Sequence, residues 1–99
     1  MLLAFSITPI GAGDSVSAAV AEAVRIVRAS GLPNETNAMF TNVEGSWEEL
    51  VRLLHDCLEA VARAAPRVSL VAKIDYRPGA EHQLEGKVQA VERRLVDDR

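Results

Sequence analysis

The stretch "RVSLVAKIDYR", Arg67 to Arg77, carries the clearest strand pattern in this chain of 99 residues. Successive side chains on a strand point to opposite faces, so alternate residues share a face. One face would carry Val68, Leu70, Ala72, Ile74 and Tyr76, and the other Ser69, Val71, Lys73, Asp75 and Arg77. The first set is apolar and the second is mixed, which indicates a sheet with one buried face.

The pattern of the N-terminal third of the chain predicts a strand followed by a helix. Residues 3–7 alternate between apolar and small or polar side chains, and we expect Pro9 to end this strand because proline donates no hydrogen bond to a sheet. Apolar residues then recur at helical spacing after a natural N-cap at Asp14 or Ser15. Gly31 would end the helix.

The middle of the chain reads as two short strands followed by a second helix. A strand pattern runs from Pro33 through Phe40 and continues at Val43 after a tight turn. Ser46 and Glu49 form a capping box, in which each side chain satisfies a free backbone N–H of the first helical turn. The apolar stripe that follows predicts a helix that ends before the next proline.

The last predicted element is a third helix, whose narrow apolar stripe consists of Leu84, Val88, Val91 and Leu95. The order of elements predicts an α+β ferredoxin-like sandwich, βαββαβ plus a C-terminal helix, in a single domain of residues 1–99. Two helices would cover one face of an antiparallel sheet. The uncovered face would carry Ala4, Ser6, Thr8, Ser69, Val71, Lys73 and Asp75. Such a mixed face favours an oligomer, a ligand site or both.

The composition argues against several classes of function. A net charge of −3 gives no attraction to nucleic acid or to an anionic membrane, and no apolar run approaches the roughly 20 residues of a membrane span. Residues 1–10 read as a strand and lack the basic start of a signal peptide. The single cysteine, Cys57, forms no internal disulfide, and two distant histidines are too few for a zinc site. We therefore expect a cytoplasmic protein without a metal.

No catalytic motif stands out, so we expect no catalytic residue and no enzymatic activity. Cys57 lies on a predicted helix among apolar residues and reads as a buried side chain. His55 and Asp56 are adjacent on that helix and point in different directions. The glycine-rich loop before the first helix lacks the spacing of a phosphate-binding loop.

Two clusters of polar residues remain as candidates for binding. Ser15 and Ser17 lie at the start of the first helix, where hydroxyls and free N–H groups can serve a polar ligand. The second cluster is the segment "NAMFTNVEGSW", Asn37 to Trp47, together with Lys73, Asp75 and Arg77. Lys73 and Asp75 share a face of the last strand, and a salt bridge between them is an equally weighted alternative to ligand binding.

The segment from Asn37 to Trp47 supplies most of the polar groups of this second cluster. Asn37, Thr41 and Glu44 offer an amide, a hydroxyl and a carboxylate within a few residues. This set suits a small, flat, nitrogen-rich ligand better than it suits a reaction, because it contains no pair of base and nucleophile.

Four segments together resemble the YkoF-like thiamine-binding family of small ferredoxin-like proteins. They are "SVSAAVAEAVRIVRASGL", "NAMFTNVEGSWEELVRLLHDCLEAV", "PRVSLVAKIDYRPG" and "KVQAVERRL", which run from Leu3 to about Leu95 with their flanks. The resemblance implies a protein that binds thiamine or its hydroxymethylpyrimidine moiety as a ligand, needs no other cofactor, and leaves the ligand unchanged. It also implies a homodimer or homotetramer assembled through the sheet, with the ligand near the sheet and the subunit interface.

The resemblance also implies which residues bind the ligand. The matching positions of this sequence are Ser15, Ser17, Met39, Thr41, Glu44, Lys73 and Asp75. With Asn37 they would line a wet pocket in which Met39 forms an apolar wall, although Glu44 serving only as a local cap is an open alternative. Phe40 and Asn42 depart from the small or aliphatic residues of many relatives, and a bulky Phe40 would narrow the pocket or pack into an interface.

Two other functions remain open at this point. A structural or regulatory homo-oligomer would use the uncovered sheet face purely as a subunit interface and bind no small molecule. An enzyme acting on vitamin precursors is the weakest hypothesis, because the sequence offers no poised nucleophile and no metal cluster.

Overall fold

The computed structural model describes residues 1–97, without the side chain of Ser15. It contains four strands and three helices: β1 (Leu2–Ile10), α1 (Val16–Ala29), β2 (Asn34–Thr36), β3 (Thr41–Glu44), α2 (Trp47–Ala62), β4 (Arg67–Asp75) and α3 (Gln83–Asp97). The strands form one antiparallel sheet in the order β2-β3-β1-β4. This confirms the ferredoxin-like class predicted from the order of elements.

The core lies between one face of the sheet and the helices α1 and α2. Alternate residues of β1 and β3 point into it, and α1 and α2 contribute the apolar stripes predicted from their spacing. The most buried side chains are those of Leu3, Phe5, Val27, Val43, Leu50, Cys57 and Val61. Their burial supplies the main driving force for folding, at about 1.5–3 kcal/mol for each large aliphatic or aromatic side chain.

The predicted capping box of α2 is present. The Ser46 hydroxyl accepts a hydrogen bond from the Glu49 N–H at 3.1 Å, and the Glu49 carboxylate accepts one from the Ser46 N–H at 2.9 Å. The prediction that Gly31 ends α1 agrees with its positive φ of 77°, a conformation in which glycine pays no steric cost.

The prediction that Pro9 ends the first strand is wrong. β1 continues to Ile10, and Pro9 pairs with Val68 of β4. Among the described strands, β1 pairs with β3 only as far as Phe5, so from Ser6 onward it has a neighbour on one side alone. A proline is tolerated there because the open side of the strand requires no donor.

Two further boundaries differ from the sequence prediction. Asn37–Phe40 forms the turn between β2 and β3, whereas the strand pattern suggested an extended segment through Phe40. The two residues considered as the N-cap of α1, Asp14 and Ser15, belong to a 3-10 turn, Gly13–Ser15, that runs directly into Val16.

The third helix begins on the opposite face of the sheet from α1 and α2. Glu44 on β3 accepts hydrogen bonds from the backbone N–H groups of Gln83 and Leu84, and Lys87 of α3 forms an ion pair with Asp75 of β4. The rest of α3 is exposed, and none of its residues is fully buried. None of the helices described within residues 1–97 is long and apolar enough to span a membrane.

Candidate functional site

The predicted site residues fall on opposite faces of the sheet. Thr41 lies opposite Phe5 in the register, so it shares the face that α1 and α2 cover. Lys73 lies opposite Ala4 and therefore belongs to the other face. Within this chain Met39 and Thr41 line one cavity, Lys73 and Asp75 line another, and Asn37 borders both.

The first cavity, of about 180 Å³, lies between α1, β1 and the turn of the β2–β3 hairpin, and is called here the hairpin cavity. It brings together three of the predicted residues, Asn37, Met39 and Thr41. Its complete lining is uncharged and consists of Phe5, Ser6, Ile7, Val20, Ala23, Val24, Thr36, Asn37, Ala38, Met39, Phe40 and Thr41.

Asn37 shapes the turn that closes one side of the hairpin cavity. Its side-chain oxygen accepts hydrogen bonds from the backbone N–H groups of Met39 and Phe40, both at 2.9 Å, and its own N–H donates to the Phe40 carbonyl at 2.9 Å. This is the turn chemistry for which asparagine is favoured. Because the side-chain oxygen is used, the side-chain NH₂ is the group that can donate to a ligand.

Two threonine hydroxyls face each other across the hairpin. The Thr36 and Thr41 hydroxyl oxygens are 3.3 Å apart, and either one can donate the hydrogen bond between them. A hydroxyl has one donor and two acceptor positions, so the pair retains capacity for a third group. Thr41 is buried, which makes this a desolvated polar position in an otherwise apolar wall.

The open side of β1 forms the floor of the hairpin cavity. Among the described residues, β3 ends its pairing with β1 at Phe5, and the turn then leads away from the strand. Ser6 and Ile7, the next residues of β1, line the cavity. A strand without a neighbour presents backbone N–H and C=O groups on that side, which are strong donors and acceptors.

The apolar walls of the hairpin cavity come from α1 and from the turn. Val20 and Val24 line it from the helix, and Met39 and Phe40 from the turn. Met39 is 73% exposed and Phe40 37% exposed, so both side chains lie at the mouth of the cavity. Phe40 therefore lines the mouth of this cavity.

The second cavity, of about 350 Å³, lies on the other face of the sheet beneath the start of α3, and is called here the sheet-face cavity. It contains Lys73 and Asp75, and Asn37 reaches its edge. The other lining residues are Leu2, Leu3, Ala4, Glu35, Asn42, Gln83, Leu84, Lys87 and Val88.

The charges of the sheet-face cavity are partly satisfied within the chain. Asp75 pairs with Lys87 of α3 rather than with Lys73, so the salt bridge considered from the sequence is replaced by another one. The hydrogen bond from Lys87 and the charge of Lys87 hold the pKa of Asp75 below its ordinary value.

Glu44 acts as the N-terminal cap of α3. Its carboxylate oxygens accept from the backbone N–H of Gln83 at 2.8 Å and of Leu84 at 3.1 Å. Burial raises the pKa of Glu44, but these two backbone hydrogen bonds outweigh it, so the pKa lies below its ordinary value. Glu44 therefore serves as a cap, but for a helix whose first turn lies 39 and 40 residues further along the chain and not for a neighbouring segment.

Ser17 lies outside both cavities. Ser17 is exposed in the first turn of α1 and borders a shallow groove along the outer side of that helix, with Val20 and Arg28. Ser15 lies in the preceding 3-10 turn, and its side chain is outside the described part of the structure.

The thiol of Cys57 lies in the core of the protein. Cys57 is buried, and burial together with the nearby charge of Asp56 raises the pKa of its thiol to about 11. Its sulfur lies 3.6 Å from the carbonyl oxygen of Ala23, within the core. Within residues 1–97 no cluster of three or more His, Cys, Asp or Glu side chains is placed to hold a metal ion.

Sequence reasoning missed the helix and strand residues that complete the hairpin cavity. Val20 and Val24 belong to the apolar stripe of α1, which the sequence predicts to be part of the core. Thr36 and Ser6 belong to no recognisable motif. Only the register of β2 with β3, which places Thr36 opposite Thr41, brings the two hydroxyls together. The alternation of apolar and polar residues along a strand predicts the face on which a residue lies, but not which residue of the neighbouring strand lies opposite it.

Comparison with known proteins identifies relatives over almost the whole chain. The sequence profile of the family described as thiamine-binding protein matches residues 3–92. A UPF0045 protein of Mycobacterium tuberculosis is 52% identical over 97 residues, which cover 97% of this chain and 95% of the relative.

Solved structures show the same architecture. The crystal structure of a hypothetical protein of Methanocaldococcus jannaschii superimposes with a TM-score of 0.83 at 34% identity, covering 92% of this chain and 94% of the other. A domain of unknown function from Bacillus cereus superimposes with a TM-score of 0.80 at 30% identity, covering 88% and 85% of the two chains.

Proposed function

This chain belongs to the thiamine-binding protein family, and we propose that it binds thiamine, or the hydroxymethylpyrimidine part of thiamine, and releases it chemically unchanged. The observation that carries the proposal is the hairpin cavity, which joins an uncharged apolar wall to two hydroxyls and an open strand edge. Such a protein would serve in storage, delivery or sensing of the vitamin. We assign it to the cytoplasm because its single cysteine forms no internal disulfide.

The size of the hairpin cavity favours a single ring. Pockets for drug-sized ligands begin at about 300 Å³, whereas this cavity measures about 180 Å³. Thiamine consists of an aminopyrimidine and a thiazolium ring joined by a methylene group, so the cavity would accept one ring and leave the other at its mouth. The uncharged lining favours the neutral pyrimidine as the ring that enters, because a cation would lose its hydration without gaining a carboxylate.

The polar groups of the hairpin cavity match the edge of an aminopyrimidine. That edge alternates an amino donor with ring-nitrogen acceptors, and a strand edge alternates C=O with N–H. The Thr41 and Thr36 hydroxyls can take either role. Met39 and Phe40 can cover the faces of the ring, since thioether and aromatic groups pack well against flat rings.

The two carboxylates among the predicted residues, which could meet the thiazolium cation, are both engaged within the chain. Asp75 pairs with Lys87, and Glu44 caps α3. We therefore propose that the pyrimidine ring contributes most of the affinity, and that thiamine and hydroxymethylpyrimidine bind with similar strength.

The proposal is tested by isothermal titration with thiamine and then with hydroxymethylpyrimidine. Thr41→Val removes the buried hydroxyl while keeping the shape of the side chain, and we expect both ligands to bind about three- to tenfold more weakly. Thr8→Val, which changes an exposed threonine on the other face of β1, is the matched control and should leave both affinities unchanged. Equal affinities for the wild type and Thr41→Val would remove the hairpin cavity from the site. Mass spectrometry of the recovered ligand checks that it is unchanged.

A homo-oligomer without a small-molecule ligand is the second candidate function. The observation that favours it is the exposed apolar surface of β4 and α3, where Val71 and Leu95 are 60% and 61% exposed. Titration traces that stay flat for both compounds, with an oligomeric protein, would support this candidate against the first.

A further inference from the structure

The apolar face of β4 is uncovered at its C-terminal end. The alternation along this strand places Ile74 and Tyr76 on the side that the helices cover, yet these side chains are 39% and 66% exposed. The helix α2 begins next to them at Trp47, which is 54% exposed. The three side chains line a cavity of about 690 Å³, called here the aromatic cavity. Its size lies within the range of small-molecule sites.

The aromatic cavity contains half of the aromatic residues of the chain. The sequence has four, of which Phe5 lies in the core and Phe40 lines the mouth of the hairpin cavity. The other two, Trp47 and Tyr76, come from distant segments and meet here. Large rings contribute most to stability when they are buried, so two exposed rings in one cavity indicate a binding surface.

The register of the sheet places the two rings on either side of the start of β1. The end of β3 and the end of β4 both lie opposite Leu2, one on each side, so about two strand spacings, roughly 10 Å, separate them. Trp47 follows the end of β3, and Tyr76 follows the end of β4. Met1, which packs against the core, also lines the cavity. A cation interacts with an aromatic face from as far as about 6 Å, so one group between the rings can contact both.

Glu48 is the one charged side chain that lines the aromatic cavity among the described residues. It is exposed and forms no ion pair with any side chain of residues 1–97. Two positive groups nearby interact with other carboxylates. The backbone N–H of Ser46, at the start of α2, donates to Glu49, and the amino group of Met1 interacts with the charge of Glu44. The charge of Glu48 therefore remains available to a ligand.

Two aromatic rings and a carboxylate together favour an organic cation. The face of an aromatic ring is negative and attracts a cation, and tryptophan does so most strongly. A primary ammonium is strongly hydrated, whereas a quaternary ammonium presents methyl groups that also gain from contact with Ile74 and Met1. An anion would be repelled by Glu48, and a neutral apolar compound would leave its charge without a partner.

We propose that the aromatic cavity binds a small quaternary ammonium cation, whose methyl groups contact Trp47 and Tyr76 and whose charge faces Glu48. Among the described residues, the aromatic cavity shares no lining residue with the hairpin cavity or with the sheet-face cavity. The proposal is therefore independent of the binding of thiamine at the hairpin cavity. The protein has two ligand sites, one lined by uncharged groups and one selective for a cation.

Fluorescence titration tests the site directly, because Trp47 is the only tryptophan of the chain. The probe is choline chloride, which has no pyrimidine ring to enter the hairpin cavity. We expect a saturable change with choline and none with sodium chloride at the same ionic strength. The neutral alcohol in which a carbon atom replaces the nitrogen of choline should bind at least twofold more weakly. Hydroxymethylpyrimidine, which has no quaternary ammonium group, should leave the fluorescence of Trp47 unchanged.

Variants that keep the Trp47 reporter separate the roles of the ring and of the charge. Tyr76→Leu should weaken choline binding about two- to fivefold, whereas Tyr76→Phe keeps the ring and should retain the affinity. Glu48→Gln should also weaken binding about two- to fivefold. Glu85→Gln removes the same charge from an exposed position on α3, so it is the matched control and should leave the affinity unchanged.

A flat choline titration, equal binding of choline and the neutral alcohol, or equal losses in Glu48→Gln and Glu85→Gln would overturn the proposal. So would a fluorescence of Trp47 that changes with protein concentration and not with choline, because a second copy of the chain would then cover the aromatic cavity.

Discussion

At Glu44, a carboxylate at the end of β3 holds the first turn of α3 through the backbone N–H groups of Gln83 and Leu84. Its pKa lies below the ordinary value of 4.5 because these hydrogen bonds favour the charged form more than burial disfavours it. A group whose pKa falls on folding stabilises the fold above its ordinary pKa. This stabilisation is lost as the pH falls through the lower, folded-state pKa.

Glu44→Gln should loosen α3 without affecting the binding of thiamine. An amide presents one acceptor oxygen and no charge, so one of the two hydrogen bonds and the interaction with the helix N-terminus are lost, at about 1–2 kcal/mol. Hydrogen exchange of the α3 amides should become faster, while titration with thiamine gives an unchanged affinity, because Glu44 does not line the hairpin cavity. In the wild type the same acceleration should occur only as the pH falls below 4.5.

Glu35→Gln is the control for this variant, since Glu35 lies on the same face of the sheet and is exposed. It should change neither the exchange of α3 nor the affinity for thiamine. A large loss of thiamine affinity in Glu44→Gln alone would contradict the assignment and return Glu44 to the ligand site. The sequence left this choice open because the bonded residues are 39 and 40 positions away, beyond the reach of any local motif.

Among the helices, α2 is the one whose start could be predicted to the residue. The capping box is encoded within four residues, Ser46 to Glu49, so no information from the rest of the fold was needed.

The end of β1 near Pro9, in contrast, could not be predicted from the neighbouring residues alone. Whether a proline ends a strand depends on which neighbours the strand has, and the length of β3, which decides this for β1, is a property of the whole sheet.

Ser46→Ala should lower the free energy of unfolding by about 1 kcal/mol, because a backbone N–H of the first turn of α2 loses its acceptor. The measurement is urea denaturation followed by circular dichroism. Glu49→Gln is the matched variant and should cost less, because glutamine also completes a capping box. Equal losses in the two variants would contradict this expectation and mean that the charge of Glu49 contributes as much as the hydroxyl of Ser46.

For the whole molecule, the fold class could be predicted and the site only in part. The order of elements determines a ferredoxin-like sheet, but it does not say on which face α3 lies or where the β2–β3 turn falls. Those two features divide the predicted residues between the hairpin cavity and the sheet-face cavity. Both depend on contacts between residues far apart in the chain, Glu44 with Gln83 and Phe5 with Thr41.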